Sequence, residues 1–577
     1  MTSWKMCRLA AACLAAAASA QGAWAQQRDA AGVLRQNGVI ERQQQDRLRE
    51  EQERALQQQP VRPGGADLKS MQPQVSVPDL GAPCRDINEI RIEGATLLPG
   101  GVREQIARDY AGRCLAAKDL EAVLAAVTKF YIDKGYVTTR AYLPAQDLRS
   151  GTLAVMVVEG RIERYEVRNT GRTGAAVSTR GAFPGAPGDR LNLRDLEQGI
   201  DQVNGVASNS ATLDLQPGSQ PGQSVVVVNN TASTPAHLYA TYDTLGTPST
   251  GKNSLSATVS FDSLLGLNEV IAITRRQSVP HDGEHNSDLT ALRASVPWGY
   301  STLSYDANES NYTNTLQLAS GNKLASQGRT LTQAFTLDRV VFRDQASRLS
   351  LSGRLQTQDS RSFLAGQFLE VASRKLTTLD IGANAFTQLG SSIVNARLGY
   401  VSGLRGLGAL EDPAYLPADL PHAQFEKYTL DAGFSSRFDV GSQPLAWSTQ
   451  FSGQYSPYVL YGVQQMLIGG WSSVRGSLLN SLSGDSGYFV RNELSLPWQV
   501  TAAQQPLSGR VYLGYDFGRV SNNAPGLASG SMSGATVGMA LQWRSLSAEV
   551  FASRALHLPS YFSNESTLYG VRLSFAL

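Results

Sequence analysis

From about residue 231 to its last residue, the chain is a succession of segments in which apolar and polar side chains alternate with a period of two. Clear examples are 255–261, 447–455, 511–518 and 571–577, and turns rich in Gly, Asn, Asp and Ser separate such segments. This alternation is typical of a β-strand whose two faces meet different surroundings. A soluble sandwich would bury the apolar face in its core, whereas a membrane barrel would turn that face to lipid and its polar face to a lumen.

Two observations favour the barrel. The last segment runs to the final residue, Leu577, and the polar faces carry charged side chains, namely Arg491, Glu493, Asp516, Glu549 and Arg572. At about 20 or more residues per strand and connection, region 231–577 has room for about 16 strands, the porin size class. A mean hydropathy of −0.21 fits a barrel, because alternation hides the membrane signal. We therefore predict a transmembrane β-barrel of about 16 antiparallel strands over 231–577.

The amino terminus has the features of an export signal. Lys5 and Arg8 supply positive charge, the apolar run 9–20 follows, and the sequence AWA at 23–25 is a cleavage site of the A-x-A kind. These features predict a signal peptide over 1–25. No later apolar run reaches the ~18–20 residues that a transmembrane helix needs. The mature protein is therefore expected in the periplasm, in the medium or in the outer membrane as a barrel.

Removal of the signal peptide takes Cys7 and Cys13 with it and leaves Cys84 and Cys114. One cysteine pair in an exported protein predicts one disulfide. A redox pair or a metal site is the alternative, but the CxxC spacing and a histidine partner are missing. The five histidines show no spacing of metal ligands, so we expect no metal and no cofactor.

Several function classes find no support in the sequence. The net charge of +2 supplies no strong field for nucleic acid, so no nucleic-acid partner is expected. No phosphate-binding loop of the GxxxxGK[ST] type and no pairing of a nucleophile with a base is recognisable. An enzyme is therefore the least expected class.

Between the signal peptide and the barrel lie a polar helix, a linker and two small units. Good helix formers with a thin apolar stripe predict a helix over 26–59, exposed to solvent or housed in a wet cavity. The Pro- and Gly-rich stretch 60–83 reads as an extended linker. It is a simple tether or the tether of a detachable helix. The units 84–160 and 161–230 each predict a β-α-α-β-β order, the second more loosely, and both look like interaction modules.

The most informative stretch of the barrel region is 466–493, in which a glycine-rich turn carries Arg475. Glycines permit sharp bends and close approach, so the guanidinium can pair bidentately with a buried carboxylate. A second turn is expected at Ser483-Gly484-Asp485, followed by a strand in which Arg491 and Glu493 share a face. The alternative is a surface hairpin with a chance arginine. Within a barrel, the arginine is expected to point into the lumen.

Five stretches together carry a family resemblance. They are GYVTTRAYLPAQDLRSGTLAVMVVEGRIE (135–163), VPWGYSTLSY (296–305), LDRVVFRDQASRLSLSGRL (337–355), 466–493 and GYDFGRV (514–520). With the domain order, they make the chain resemble the two-partner secretion (TpsB) outer-membrane transporters of the ShlB/FhaC/HecB family, within the BamA-like superfamily. The resemblance implies that the two small units, 84–160 and 161–230, are POTRA domains. It covers essentially the whole mature chain.

The resemblance also assigns expected roles. Val474, Arg475 and Gly476 would form the family's motif at the tip of a loop folded into the barrel, with Ser477 where the family has an aromatic residue. The arginine would contact Asp516 on the barrel wall, with Glu493 as a second partner. The POTRA domains would capture an unfolded exoprotein of the filamentous haemagglutinin or haemolysin type, and the barrel, surrounded by outer-membrane lipid, would export it. Helix 26–59 would plug the resting pore.

Two rival functions remain open at this point. An outer-membrane assembly factor of the BamA class would share the POTRA domains and the arginine loop, although bacterial insertases usually carry more POTRA units. A porin with periplasmic domains would pass small solutes, but it needs neither POTRA modules nor an arginine-bearing loop folded into its lumen.

Overall fold

The computed structural model describes residues 37–50, 84–171, 177–317, 321–502 and 504–577. The predicted signal peptide, the predicted linker and both ends of the predicted amino-terminal helix lie outside these residues. The described part of that helix, 37–50, is helical and is termed α1. None of the helices in the described ranges combines the length and the apolarity that crossing a membrane requires.

The first small domain consists of a three-stranded sheet, two helices and a two-stranded ribbon. Its elements are β1 (Arg85–Ile87), β2 (Glu89–Glu93), α2 (Gly100–Tyr110), β3 (Arg113–Leu115), α3 (Ala117–Asp133), β4 (Arg140–Tyr142) and β5 (Thr152–Val158). The sheet order is β2-β5-β4, with β2 parallel and β4 antiparallel to β5. The side chains of Val123, Val127 and Tyr131 on α3 are fully buried against this sheet, as the spacing of apolar residues in α3 predicts.

Two features of this domain go beyond the predicted order of elements. Strand β4 is only three residues long, because the backbone turns before it: Tyr136 N–H donates to Tyr131 O, and Thr139 N–H donates to Tyr136 O. The ribbon β1-β3 was not expected. It pairs Asp86 with Cys114, and the Cys84–Cys114 disulfide, with an S–S distance of 1.98 Å, closes the ribbon.

The second small domain repeats the sheet of the first with one helix among the described residues. Its elements are β6 (Arg161–Gly171), α4 (Leu193–Asn204), β7 (Ala211–Pro217) and β8 (Gln223–Ala232), in the sheet order β6-β8-β7. The Asn192 side chain accepts a hydrogen bond of 2.9 Å from Arg194 N–H and so caps α4. Leu196 and Val203 on α4 are fully buried in the core of this domain.

The rest of the chain closes into a barrel. Its strands in the described residues, with a short extension β16 and an internal hairpin β21-β22, are β9 (Ala236–Asp243), β10 (Ser254–Asp262), β11 (Val270–Ser278), β12 (His285–Trp298), β13 (Ser301–Gln317), β14 (Lys323–Arg343), β15 (Ser347–Leu364), β16 (Gln367–Phe368), β17 (Arg374–Leu389), β18 (Ser392–Leu404), β19 (Glu426–Val440), β20 (Gln443–Tyr455), β21 (Met466–Ile468), β22 (Leu482–Gly484), β23 (Ser486–Ala502), β24 (Gln505–Ser521), β25 (Gly530–Trp543), β26 (Leu546–His557) and β27 (Leu568–Ala576). All barrel neighbours pair antiparallel, and β27 pairs with β9 to close the cylinder. Without β16, β21 and β22, the described residues form 16 wall strands. The expected barrel of about 16 antiparallel strands is confirmed.

The two faces of the wall follow the alternation of the sequence. On β24, the outward-facing Leu513 and Tyr515 are 60% and 50% exposed, while the inward-facing Tyr512 and Asp516 are 1% and 0% exposed. The same parity holds on β27, where Leu573 is exposed and Arg572 is buried. Apolar side chains therefore cover the outside of the barrel, and polar and charged side chains line its lumen.

The second small domain is bound to one end of the barrel. Tyr300 OH donates a hydrogen bond of 2.5 Å to Asp195 on α4, and Arg343 Nη2 lies 2.9 Å from Asp201 of the same helix. Asp262, at the end of β10, accepts a bond of 2.9 Å from Ser208 N–H. We call this end of the barrel the domain end and the opposite one the far end.

Candidate functional site: the arginine loop inside the barrel

The segment between β20 and β23 does not stay outside the barrel but folds into its lumen from the far end. Its strands β21 and β22 pair as a small hairpin, and Ile468 and Val474 pack with Met532 of the wall in a cluster of buried apolar side chains. The prediction of a turn at Ser483-Gly484-Asp485 was wrong, because Leu482–Gly484 forms strand β22. The reversal of the chain lies instead within 469–481.

At the tip of this loop, Arg475 and Asp516 form a buried ion pair. Arg475 Nε donates to Asp516 Oδ2 at 2.6 Å, and Arg475 Nη2 donates to Asp516 Oδ1 at 2.8 Å. The backbone N–H of Arg475 adds a third bond of 3.0 Å to Asp516 Oδ2. The two side chains are only 2% and 0% exposed. This fork-on-fork geometry is the strongest arrangement available to an arginine and a carboxylate.

Glycines on the wall make room for the arginine. A Cβ atom at Gly514 would lie 2.4 Å from Arg475 Nη2, and one at Gly534 would lie 1.8 Å from the Arg475 carbonyl oxygen. Gly476 has φ +106°, and a Cβ there would lie 2.4 Å from the backbone of Arg554. The loop therefore lies flat against β24, β25 and β26, and a larger residue at any of these positions would push it away.

Glu493 and Arg510 extend the ion pair into a group of four charges. Arg475 Nη1 lies 3.3 Å from Glu493 Oε2, and Arg510 Nη1 forms a close ion pair with the same carboxylate. Two guanidinium groups thus face two carboxylates, and Arg510 is the partly exposed member at 41%. Each carboxylate of the group therefore has a cationic partner, which offsets the cost of removing it from water.

The place of the family's aromatic residue is organised differently in this chain. Ser477, 1% exposed, has its hydroxyl within hydrogen-bonding distance of Asn480 O and of the Glu565 carboxylate. The aromatic contact comes from Trp471, whose ring lies 4.0 Å from that of Phe551 and 5.6 Å from the Arg475 guanidinium. Serine at 477 therefore makes polar contacts, and the ring that lies near the Arg475 guanidinium is that of Trp471.

The base of the loop is held by Asp485, which the sequence placed in a turn without predicting these contacts. Its buried carboxylate accepts bonds of 2.8 Å from Leu460 N–H, 2.9 Å from Gln465 Nε2 and 2.8 Å from Asn523 N–H. The contact with Asn523 joins two different far-end loops, and no pattern in the sequence connects them. The loop is thus tied at its base as well as at its tip.

Helix α1 lies across the lumen and touches several parts of the wall. Asn37 accepts a bond of 2.9 Å from Ser326 Oγ, and Arg47 donates one of 2.7 Å to Asp243. Ile40, Glu41 and Gln44 are 1%, 2% and 6% exposed. A polar helix buried within a polar lumen is the wet-cavity arrangement that the composition of this segment allows.

The second half of α1 reaches opposite sides of the barrel. Arg49 Nη2 lies 3.5 Å from Asp431 Oδ2 on β19, and Glu50 Oε1 lies 3.5 Å from Arg572 Nη2 on β27. Among the described residues of α1, Leu48 is the one that joins a cluster of buried apolar side chains, with Leu289 and Ala291 of the wall. The helix also meets the arginine loop, because the α-carbon of Gly462 would lie 3.2 Å from a Cβ atom at Gly38.

In the ranges that the structure describes, no three His, Cys, Asp or Glu side chains come together in a way that could hold a metal ion.

Comparisons with known proteins agree with this architecture. Residues 222–541 match the family model described as haemolysin secretion/activation protein ShlB/FhaC/HecB. Residues 86–160 match the ShlB-type POTRA domain and residues 161–217 match a POTRA domain. The outer membrane transporter CdiB of Dickeya dadantii is 33% identical over 94% of this chain and 93% of its own. The hemolysin transporter protein ShlB of Serratia marcescens is 30% identical, with 84% of each chain covered.

Solved structures show the same fold. CdiB from Escherichia coli superposes with a TM-score of 0.82 at 30% identity, over 94% of this chain and 98% of that one. CdiB from Acinetobacter baumannii has a TM-score of 0.77 at 20% identity, over 94% and 99% of the two chains, and supports the fold alone.

Proposed function

The chain belongs to the ShlB/FhaC/HecB family and is an outer-membrane transporter of two-partner secretion, and from this premise we propose how its parts share the work of export. The domain end of the barrel faces the periplasm, where the POTRA domains lie, and the far end faces the outside of the cell. The exported partner is an exoprotein of the filamentous haemagglutinin or haemolysin type. The apolar outer face of the wall contacts outer-membrane lipid.

Capture of the exoprotein falls to the two POTRA domains, which we place at 84–160 and 161–230. Each carries a three-stranded sheet in which the middle strand pairs on both sides and each outer strand pairs on one side, so an outer strand has an edge that can accept another strand. For β4 and β7 this edge pairs with no other described strand. An unfolded segment can add to such an edge through main-chain hydrogen bonds, which bind without demanding one sequence.

Helix α1 acts as a plug that leaves the lumen when the exoprotein arrives. The observation that carries this proposal is its position: it crosses the channel and makes ion pairs with Asp243, Asp431 and Arg572 on different strands. A chain could not pass while the helix occupies that space. We place the plug at 26–59 and its tether at 60–83.

The arginine loop keeps its shape while the helix moves. Arg475 and Asp516, with Glu493 as the second carboxylate, anchor the tip of the loop to the wall and so define the channel beside it. Val474 and Gly476 serve this anchor, the first by filling the apolar cluster and the second by its left-handed backbone conformation. Cys84 and Cys114 stabilise the first POTRA domain through their disulfide.

The rival functions find less support. The matching family model and the curated relatives describe secretion transporters, so assembly of other barrels in the manner of BamA is not favoured. Transport by a secretion channel is not an enzymatic activity. We propose that export uses no nucleotide and that folding of the exoprotein outside the cell gives it direction.

The plug proposal is tested by deleting residues 28–58 and measuring ion conductance in planar bilayers. Conductance is expected to rise, because the lumen loses the segment that crosses it. The matched control is a chain that keeps the helix but carries Arg519→Ala, on the outward face of β24. Heat-modifiable gel mobility checks that both variants form barrels. Equal conductance in the deleted and the intact chains would mean that the helix is no plug.

Secretion itself is tested by co-expressing the transporter with candidate exoproteins and measuring their release into the medium. Release that depends on the transporter supports the assignment. If no exoprotein is released but barrel proteins gain assembly, the insertase function would take its place.

A further inference from the structure

Glu565 lies in the far-end loop between β26 and β27, outside every motif that the sequence offers. Its carboxylate accepts backbone N–H bonds from three consecutive residues of the arginine loop: 2.8 Å from Leu478, 3.1 Å from Leu479 and 3.0 Å from Asn480. The Asn480 side chain adds a bond of 2.7 Å from Nδ2, and the Ser477 hydroxyl is in close contact. The Glu565 carboxylate thus accepts hydrogen bonds from all three backbone N–H groups of residues 478–480.

The geometry is that of an anion held by a turn. Successive backbone N–H groups that point to the same side form a concave site for negative charge. Hydrogen bonds to an ionised acceptor are about twice as strong as those between neutral groups. Here the turn belongs to one loop and the anion to another, so the contact joins two segments that are 85 residues or more apart in the chain.

Other residues of the loop between β26 and β27 also contact the arginine loop, so the interaction is not limited to the Glu565 side chain. Asn480 Nδ2 also donates to Ser563 O at 2.9 Å. Leu558 and Phe562 pack against the apolar cluster that contains Ile468 and Val474, the residues that seat the arginine loop. The loop 558–567 therefore covers the arginine loop from the extracellular side.

The contact between Glu565 and the 477–480 turn, which we call the clamp, is separate from the ion pair between Arg475 and Asp516. Arg475 binds the wall through Asp516 on β24, whereas the turn 477–480 binds a loop that follows β26. The two contacts hold neighbouring parts of one loop against different partners. The two contacts use different side chains, so a substitution can remove one without altering the residues of the other, and this allows an experiment to separate them.

We propose that Glu565 is a positioning residue that clamps the 477–480 turn from outside the cell, and that opening of this clamp is what releases the buried tip of the arginine loop to the exterior. This inference rests on the proposed function, since it adds an outer lock to the channel. Serine at position 477 fits the scheme, because a small hydroxyl side chain at this position brings a donor to the carboxylate.

The test measures how fast a buried position of the loop becomes accessible. Ser473 is 3% exposed, lies before the clamp and makes no bond to Glu565, so Ser473→Cys serves as the reporter. The native Cys84 and Cys114 form a disulfide and do not react. Intact cells are treated with a membrane-impermeant maleimide, and the labelled fraction is followed with time.

In this background, Glu565→Ala is expected to raise the labelling rate by about tenfold or more, the scale set by the loss of several charge-assisted hydrogen bonds. Asn480→Asp weakens the clamp from the loop side, because it places a second carboxylate next to that of Glu565. This variant should also raise the labelling rate. Glu565→Asp keeps the charge and should fall between Glu565→Ala and the unaltered residue. The matched control is Glu411→Ala, an exposed glutamate in another far-end loop, which should leave the rate unchanged.

Two further readouts separate the clamp from general loosening. Labelling of Tyr415→Cys, a position 97% exposed in the loop 405–425, should be the same in all variants. Heat-modifiable mobility should also be unchanged, since the clamp holds a loop and not the wall. An unchanged labelling rate at Ser473→Cys in both Glu565→Ala and Asn480→Asp overturns the proposal, and so does failure of the barrel to assemble in every clamp variant. None of these readouts uses an exoprotein, so failure of the secretion assay remains a separate result.

Discussion

Replacement of Arg475 by alanine is the sharpest test of the anchor at the loop tip. The change removes the bonds of 2.6 Å and 2.8 Å to Asp516 and leaves a carboxylate that is 0% exposed. Among the described residues, the backbone N–H of residue 475 is then its remaining hydrogen-bond donor. Breaking a buried ion pair from one side costs about 3–5 kcal/mol, because the other charge stays buried without compensation. That energy lowers the population of the docked loop relative to the undocked one by about a hundredfold to a few thousandfold.

The expected result is a strong fall in release of the exoprotein while the barrel still inserts. The wall does not depend on the loop, because β23 and β24 pair with each other through 486–502 and 505–521 whatever the loop does. Release into the medium is measured together with the amount of heat-modifiable barrel in the outer membrane. The control is Arg519→Ala, which removes an arginine from the outward face of β24, the strand that carries Asp516.

Two companion variants determine whether the ion pair itself is responsible. Arg475→Lys keeps the charge but loses the fork, so release should be intermediate. Asp516→Asn combined with Arg475→Ala should cost less than the sum of the single changes, since the double variant leaves no unpaired buried charge. A yield of Arg475→Ala equal to that of the unaltered chain would refute the role given to this residue.

Three further predictions follow from other contacts. The protein purified without reductant should show no free thiol at Cys84 or Cys114, and Cys84→Ser should destabilise the first POTRA domain by about 3 kcal/mol in a denaturant titration followed by hydrogen exchange. Gly534→Val should displace the loop tip and reduce release much as Arg475→Ala does, because its Cβ would meet the loop carbonyl at 1.8 Å. Burial opposes ionisation of Glu159, but hydrogen bonds from Thr96, Arg190 and Tyr131 outweigh it and lower the pKa of Glu159 to about 2. A lowered pKa stabilises the folded domain above the unfolded pKa of about 4.3, so protection of its amides should fall as pH drops from about 4.5 towards 2 in the native chain and much less in Glu159→Gln.

The barrel was predictable because its signal is local. Alternation with a period of two is imposed on each strand by the pleat, so a single segment such as 511–518 already shows which residues face the lumen. Asp516 could be named in advance for this reason, together with the resemblance of the stretch around it to a known family. The structure places it opposite Arg475, although its role in export stays a prediction until the variants are made.

The contacts that seat the loop were not predictable, because they join residues far apart in sequence. Gly534 and Glu565 touch the loop from β25 and from the loop after β26, and no local pattern marks either residue. Asp485 was placed in a turn because it follows a glycine. That glycine serves close packing instead: a Cβ at Gly484 would lie 2.7 Å from the Val520 side chain. Glycine has two uses, sharp turns and close approach, and the sequence alone does not separate them.

The helix and the loop that share the lumen are held by different kinds of contact, and this difference bears on which of them moves. Helix α1 touches the wall through single hydrogen bonds and ion pairs between polar surfaces, with Leu48 in its small apolar cluster. Polar groups of this kind exchange one partner for water at a net cost of only about 0.5–1.5 kcal/mol each. The arginine loop combines a buried ion pair, a fully buried Ile468 and the Asp485 anchor at its base. Most of the helix contact joins polar surfaces that water can solvate, and Ile40 and Leu48 are the buried apolar side chains of its described part. We therefore expect the helix to leave the lumen before the loop does.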